Sequence, residues 1–178
     1  MGQIPIPANM SFFIEPELSK HARFAKQGML NPSIEDLHPD RYAFMYRLGH
    51  SSLQDEENLS SPWWTDYQSF ISIKNFASRN QISLKISSRV KNAVAPAFGP
   101  SDLLFKALLG TMIRTFRGLG RPIESDGRMY FPPNSITQTF IPGLRNWPQK
   151  SLSEIGRKVF PTYTKEKLGP GFISLHGE

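Results

Sequence analysis

Fifteen prolines are scattered through the 178 residues of this chain, from Pro5 to Pro170. At about 8% they exceed the roughly 5% of ordinary chains, and each interior proline removes a backbone donor and collides with the preceding helical turn. Long uninterrupted helices are therefore scarce and a helix bundle is disfavoured. The apolar share of 39%, with 13 glycines, suffices for a core, which excludes a disordered tail. The length suits one domain better than two.

Periodicity divides the chain into short elements. Residues 1–40 are expected to form an irregular and helical segment packed on a single α+β domain spanning 41–178. In that first segment the run from Pro16 to Leu30 is helical, with Leu18, Ala22, Phe24, Ala25 and Met29 apolar and an end marked by Gly28 and Asn31-Pro32. RYAFMYRL, 41–48, reads as a buried strand, and SSLQDEENLS, 51–60, as a polar surface loop. SPWWTDY, from Ser61, is strand-like, and the spacing of Phe70, Ile73, Phe76 and Ala77 is helical. Ile82, Leu84 and Ile86 alternate as in a half-buried strand.

The segment 101–117 predicts the best helix, opened by Pro100-Ser101-Asp102 and closed by Gly118, with a stripe of Leu104, Phe105, Leu108, Met112 and Phe116. It reads either as a core helix or as a basic amphipathic segment lying on an anionic membrane. GRPIESDGR is turn-rich, MYF and SITQTFI are short strands, and beyond Pro142 only weak apolar clusters remain among Gly, Pro and Lys. The expected fold is mixed α+β, a single compact domain with short, mainly antiparallel strands around a cleft, flanked by a few helices.

A net charge of +6 favours anionic partners, whether nucleic acid, acidic lipid or phosphorylated small molecules. The absence of cysteine excludes disulfides, thiolate-held zinc, iron–sulfur clusters and a thiol nucleophile. The four histidines, at 21, 38, 50 and 176, lack the H-x-x-x-H spacing, so a metal site would need carboxylates gathered by the fold. No G-x-S-x-G turn, Walker loop or dinucleotide glycine fingerprint occurs, so an anion must be held by side chains. The N-terminus has no basic region before Pro5 and Pro7, no acylation pattern at Gly2, and no run reaches a membrane-spanning length. The expectation is a cytoplasmic protein without a transmembrane segment, or one exported into a target cell without a cleaved signal peptide.

Several segments then fall into a recognisable order: Tyr46-Arg47 ending a strand, Ser61 to Thr65 beginning the next, a helix reaching Phe76-Ala77, and Thr137-Gln138-Thr139 in a late strand. Over about residues 41–145 this order resembles the ADP-ribosyltransferase-like fold of bacterial toxins and effectors. The resemblance implies NAD as co-substrate and a macromolecular acceptor, protein or nucleic acid, with a cognate antitoxin or immunity protein as a further partner. It implies that Arg47 binds the diphosphate or the adjacent ribose. Ser61 or Thr65 would hold the nicotinamide-side ribose, Trp64 or Tyr67 would stack on nicotinamide, and His50 would bond a ribose hydroxyl. Arg47 and Gln138 stand at the positions expected for catalysis. Where the family has a glutamate this chain has Gln138, which can hydrogen-bond a ribose but supplies no negative charge; Glu124 or Asp126 are the nearest carboxylates upstream.

Plainer readings stand beside these. Arg47 could pair with the acidic loop Asp55-Glu56-Glu57, Trp63 and Trp64 could be one core and one surface aromatic, His50 could be a turn residue, and Gln138 could lie on the outward face of its strand. A second functional class is a nucleic-acid-binding module without enzymatic activity. Its basic surface would comprise Lys106, Arg114, Arg117, Arg121 and Arg128, interleaved with Phe116 and Tyr130. A third is a membrane-acting toxin working through the 101–117 helix.

Overall fold

Seven antiparallel strands form the main sheet, and their order across it is not their order along the chain. The computed structural model describes residues 5–80, 102–120, 123–125, 128–130 and 137–168. A 3-10 turn, Met10–Phe13, leads to α1, Glu17–Gly28, and β1, Met29–Leu37. There follow β2, Phe44–Gly49; α2, Asp55–Leu59; β3, Trp63–Asp66; α3, Tyr67–Asn80; β4, Leu103–Leu108; and β5, Ile113–Gly120. The last elements are β6, Ile123–Ser125; β7, Arg128–Tyr130; β8, Thr137–Phe140; β9, Arg145–Asn146; β10, Ser151–Leu152; α4, Glu154–Val159; and β11, Tyr163–Lys167. The sheet runs β1-β5-β8-β3-β2-β4-β11, with two small hairpins, β6–β7 and β9–β10, outside it. This is the mixed α+β class that the short, proline-bounded segments predict.

Because successive side chains of a strand point to opposite faces, the pairing registers assign each residue to a face. On the first face lie Met45, Trp64, Leu103, Phe105, Ala107 and Ile113. They form the larger core with Leu59 of α2, Leu144 and Leu152 around the β9–β10 hairpin, and Val159 and Phe160 at the end of α4. On the second face, Phe116, Phe140 and Trp63 meet Phe13 and Ala25 from the N-terminal turn and α1. Tyr46 stacks on Phe70 of α3 there, with ring centroids 4.2 Å apart and planes 4° from parallel. The helices α1, α2 and α4, and Phe70 of α3, thus place buried apolar residues against one sheet face or the other.

The helix expected over 101–117 is not formed: β4 and β5 occupy it. Leu103, Phe105 and Ala107 are buried while Leu104, Lys106 and Leu108 are less so, a period of two rather than 3.6. Gly110 sits at the turn between the strands, where a Cβ would come within 2.8 Å of the Lys158 carbonyl and 2.7 Å of Pro161. With the helix goes the basic amphipathic segment on which membrane action rested. Among the described residues no helix is long and apolar enough to cross a membrane.

Several elements, β1, α2, α4 and β11 among them, lie where sequence patterning gives none. β1 carries Pro32, which an edge strand tolerates because its free N–H side needs no donor, and its register slips between Leu30 and Ser33 beside Asn31, at φ 44°. α2 arises inside the supposed surface loop, with Asp55, Glu56 and Glu57 in its first turn, where acidic groups suit the helix dipole. α4 is capped by Ser153, whose Oγ accepts from Gly156 N at 2.9 Å, and β11 closes the far edge. The strand expected around Ile82 to Ile86 lies outside the described residues.

Candidate functional site

β2, β3 and β8, the strands bearing Arg47, Thr65 and Gln138, are neighbours in the sheet. Thr65 stands directly opposite Gln138, and Tyr46 directly opposite Thr65. Those three therefore share the second face. Arg47, one residue beyond Tyr46, points to the first face, and its guanidinium carbon lies 5.8 Å from the centre of the Trp64 ring. Arg47 does not share a crevice with Thr65 and Gln138. The single-residue alternation of a strand separates them by the thickness of the sheet, a distinction that strand assignment alone does not make.

The other expected ligand-binding residues are also dispersed. Trp64 is 2% exposed, with its ring 4.3 Å from Phe160 and its Nε1 donating to the Ser61 carbonyl at 2.7 Å, so it is core and cannot stack on a nicotinamide. Trp63 is half-buried, edge-on to Phe140 at 4.9 Å. Ser61 Oγ accepts from Trp63 N at 3.3 Å and so shapes the entry to β3. His50 lies in the turn after β2, its amide and carbonyl both held by the Asn58 side chain at 2.9 Å. Tyr67 is 55% exposed at the start of α3. Gln138, at 8% exposure, is buried rather than on an outward face. Asp126 and Arg121 lie outside the described residues.

Arg47 itself is in an unusual environment. Its Nη1 donates to the Trp63 carbonyl at 3.2 Å, while Nε is sealed from solvent with no hydrogen-bond partner among the described residues. Among the described residues it makes no ion pair. The acidic stretch does not reach it: Asp55 holds Lys165 at 2.9 Å, Glu56 holds Arg157 at 2.8 Å, and the Glu57 carbonyl accepts from Arg145 at 3.2 Å. Burial pulls the Arg47 pKa down to about 10, and the positive charge of Arg145 adds to the effect. Burial lowers the Arg145 pKa as well, with Glu57 offsetting it in part. Both guanidiniums stay cationic at neutral pH.

Arg145 comes soon after β8 in the chain and begins the β9–β10 hairpin. Its Nε donates to Ser60 Oγ at 2.8 Å, and its guanidinium carbon lies 5.4 Å from the centre of the Trp147 ring. The two arginines are thus anchored to one stretch, Glu57 to Trp63, by hydrogen bonds to neutral oxygens. Cations taken from water without a full counter-charge are costly, and an anion brought between them relieves that cost. Planar guanidinium forks match phosphate oxygens in particular. Arg145 and Trp147 escape sequence reading because LRNWPQ shows no periodicity; the available signal is an arginine and a tryptophan in a proline-flanked loop, a place where binding residues gather.

Of the remaining basic residues, the described side chains of Lys106, Arg114 and Arg117 do not form one surface. Arg114 and Lys106 lie on the second face, Arg114 bonded to Asp36 at 2.7 Å and Lys106 over the Phe44 ring at 4.2 Å. Arg117 lies on the first face, buried against Asp66. Phe116, at 3% exposure, is core and unavailable to a base. Among the described residues no group of three His, Asp or Glu side chains could hold a metal ion. Comparison of the chain with protein-family models, with curated proteins and with solved structures finds no match in any of the three.

Proposed function

We propose that this protein binds a diphosphate-bearing nucleotide through Arg47, with NAD as the first ligand to test, and acts as an effector of the ADP-ribosyltransferase-like class. The observation that carries this reading is a desolvated guanidinium with one backbone bond, no carboxylate partner among the described residues, and the positive charge of Arg145 near enough to act on it. The adjacency of β2, β3 and β8, with α3 directly following β3, supports it. The diphosphate would lie on the first face, drawing charge-assisted bonds from Arg47 and Arg145. Thr65 and Gln138, on the second face, play no part in that contact. Transfer of ADP-ribose to a macromolecular acceptor needs a negative group near the departing nicotinamide, which the neutral Gln138 amide does not supply.

Calorimetric titration with NAD tests the reading. Saturable binding is expected for the unaltered protein, weakened at least tenfold by Arg47→Met while the circular dichroism spectrum and melting temperature hold. Absence of heat with NAD and with ADP alike would overturn it. Expression in a bacterium, scored for growth and repeated with Arg47→Met, tests the effector role: toxicity indifferent to Arg47 argues against it.

A further inference from the structure

Trp147 is 67% exposed, although an indole is among the largest apolar surfaces a side chain can leave in water. It is not on a loose tail. The hairpin that bears it is closed by the pairs Asn146–Ser151 and Arg145–Leu152 and by a Lys150 N to Asn146 carbonyl bond of 2.9 Å. Leu152 is buried in the larger core, and Ser153 N donates to the Leu144 carbonyl at 2.8 Å, which fixes the hairpin to the body of the domain. Lys150 holds a left-handed backbone at φ 55°, so the tight turn carrying Trp147 has a defined path. Arg145, tied to Ser60 and Glu57, stands 5.4 Å from the indole centre.

We propose that Trp147 is the base-stacking platform of the nucleotide site, receiving an adenine ring on the indole while Arg145, beside it, contacts the diphosphate. This rests on the reading of Arg47 and Arg145 as a phosphate site. A nucleotide offers a flat π-surface joined to an anion, and this hairpin offers a fixed aromatic next to a cation in the same arrangement. Aromatic stacking tolerates any base, so the adenine preference is weak and the requirement is for a base at all. The stack also covers apolar indole surface that is otherwise in water.

The experiment compares ADP with inorganic pyrophosphate by calorimetry, in the unaltered protein and in Trp147→Ala and Trp147→Phe. ADP is expected to bind about five- to a hundredfold more tightly than pyrophosphate. Trp147→Ala should remove that advantage and leave pyrophosphate binding unchanged, whereas Trp147→Phe should keep part of it. If Trp147→Ala leaves the ADP advantage intact, or weakens both ligands equally, stacking on Trp147 is refuted while the phosphate site stands. If neither ligand binds the unaltered protein, the phosphate site itself is refuted and the platform with it.

Discussion

Asp66 on β3 and Arg117 on β5 form an ion pair that reaches across β8, the strand lying between them. Both side chains are nearly enclosed, at 6% and 7% exposure, and Tyr42 lies over the guanidinium at 5.1 Å. Asp66 also accepts the Ser69 amide at 2.8 Å, and Ser69 Oγ accepts the Thr137 amide at 3.0 Å. One carboxylate thus joins three strands to the start of α3.

Removing it leaves the buried Arg117 with only the longer contact to the half-exposed Glu35 carboxylate, at 3.9 Å, and an orphaned helix donor. Asp66→Ala is expected to cost about 3–5 kcal/mol of unfolding free energy, a large part of the whole for a domain of this size. The double variant Asp66→Leu with Arg117→Met should cost clearly less than the two single changes added together. Urea denaturation of the unaltered protein, Asp66→Ala, Asp66→Leu, Arg117→Met and the double variant measures both. A loss below about 1 kcal/mol for Asp66→Ala, in the range of exposed pairs, would show that the pair contributes no more than a surface salt bridge.

A contrast between two buried threonines gives the second expectation. Thr139 is fully buried beside Arg117 on β5, and its Oγ1 has no hydrogen-bond partner among the described residues. Thr115 is equally buried, but its Oγ1 donates to the Glu35 carbonyl at 2.9 Å. Thr139→Val replaces an unsatisfied hydroxyl by a methyl of the same shape and should be neutral or stabilising by about 1 kcal/mol, while Thr115→Val should cost about 1 kcal/mol. Thermal melts order the three proteins, and the reverse order would mean that the Thr139 hydroxyl serves a group worth finding.

How far these contacts were legible in advance depended on how local their cause is. α1, β2, β3, α3 and β8 follow from short apolar runs between prolines and glycines, because those signals act within a few residues. The Leu103 to Phe116 stretch misled because its apolar residues fit a helical stripe as well as two alternating strands, and only Gly110, pressed against Lys158 and Pro161, decides for a turn. Neighbouring positions for Arg47, Thr65 and Gln138 could be anticipated as strands. Their opposite faces could not, since a face depends on register, which is set by pairing with distant residues such as Ala107 and Phe140. Arg145 and Trp147 belong to the β9–β10 hairpin, whose tie to Ser60 and Glu57 is a property of the tertiary fold alone.

At the far edge of the sheet, Tyr163 of β11 donates its hydroxyl to Asp55 of α2, and Lys165 bonds the same carboxylate. The hydrogen bond to Asp55 drives the Tyr163 pKa up to about 12, with burial adding to it. Asp55→Asn removes the charge and should bring this phenol back toward its ordinary value near 10. Ultraviolet titration of the phenolate in the two proteins reads the difference. Coincident titration curves would mean that the tether from α2 to β11 does not hold in solution.

His21 on α1 gives the last expectation, a loss of stability in mild acid. Burial holds its pKa below the usual 6.5, against the partial opposition of Glu17, which lies 3.1 Å away. Phe12, at 5.6 Å, and Phe24, at 6.0 Å, surround the ring with apolar edges. The neutral imidazole is therefore the form the fold prefers. Above pH 6.5 both folded and unfolded chains carry it neutral, and no penalty arises. As pH falls below 6.5 the unfolded chain takes up the proton first, so the unfolding free energy declines until the folded-state value is passed and then levels. Denaturation midpoints between pH 5 and pH 7.5 should shift downward with acid, and His21→Phe, which keeps an apolar ring, should flatten that part of the profile. An unchanged slope in the variant would place the acid sensitivity on another group.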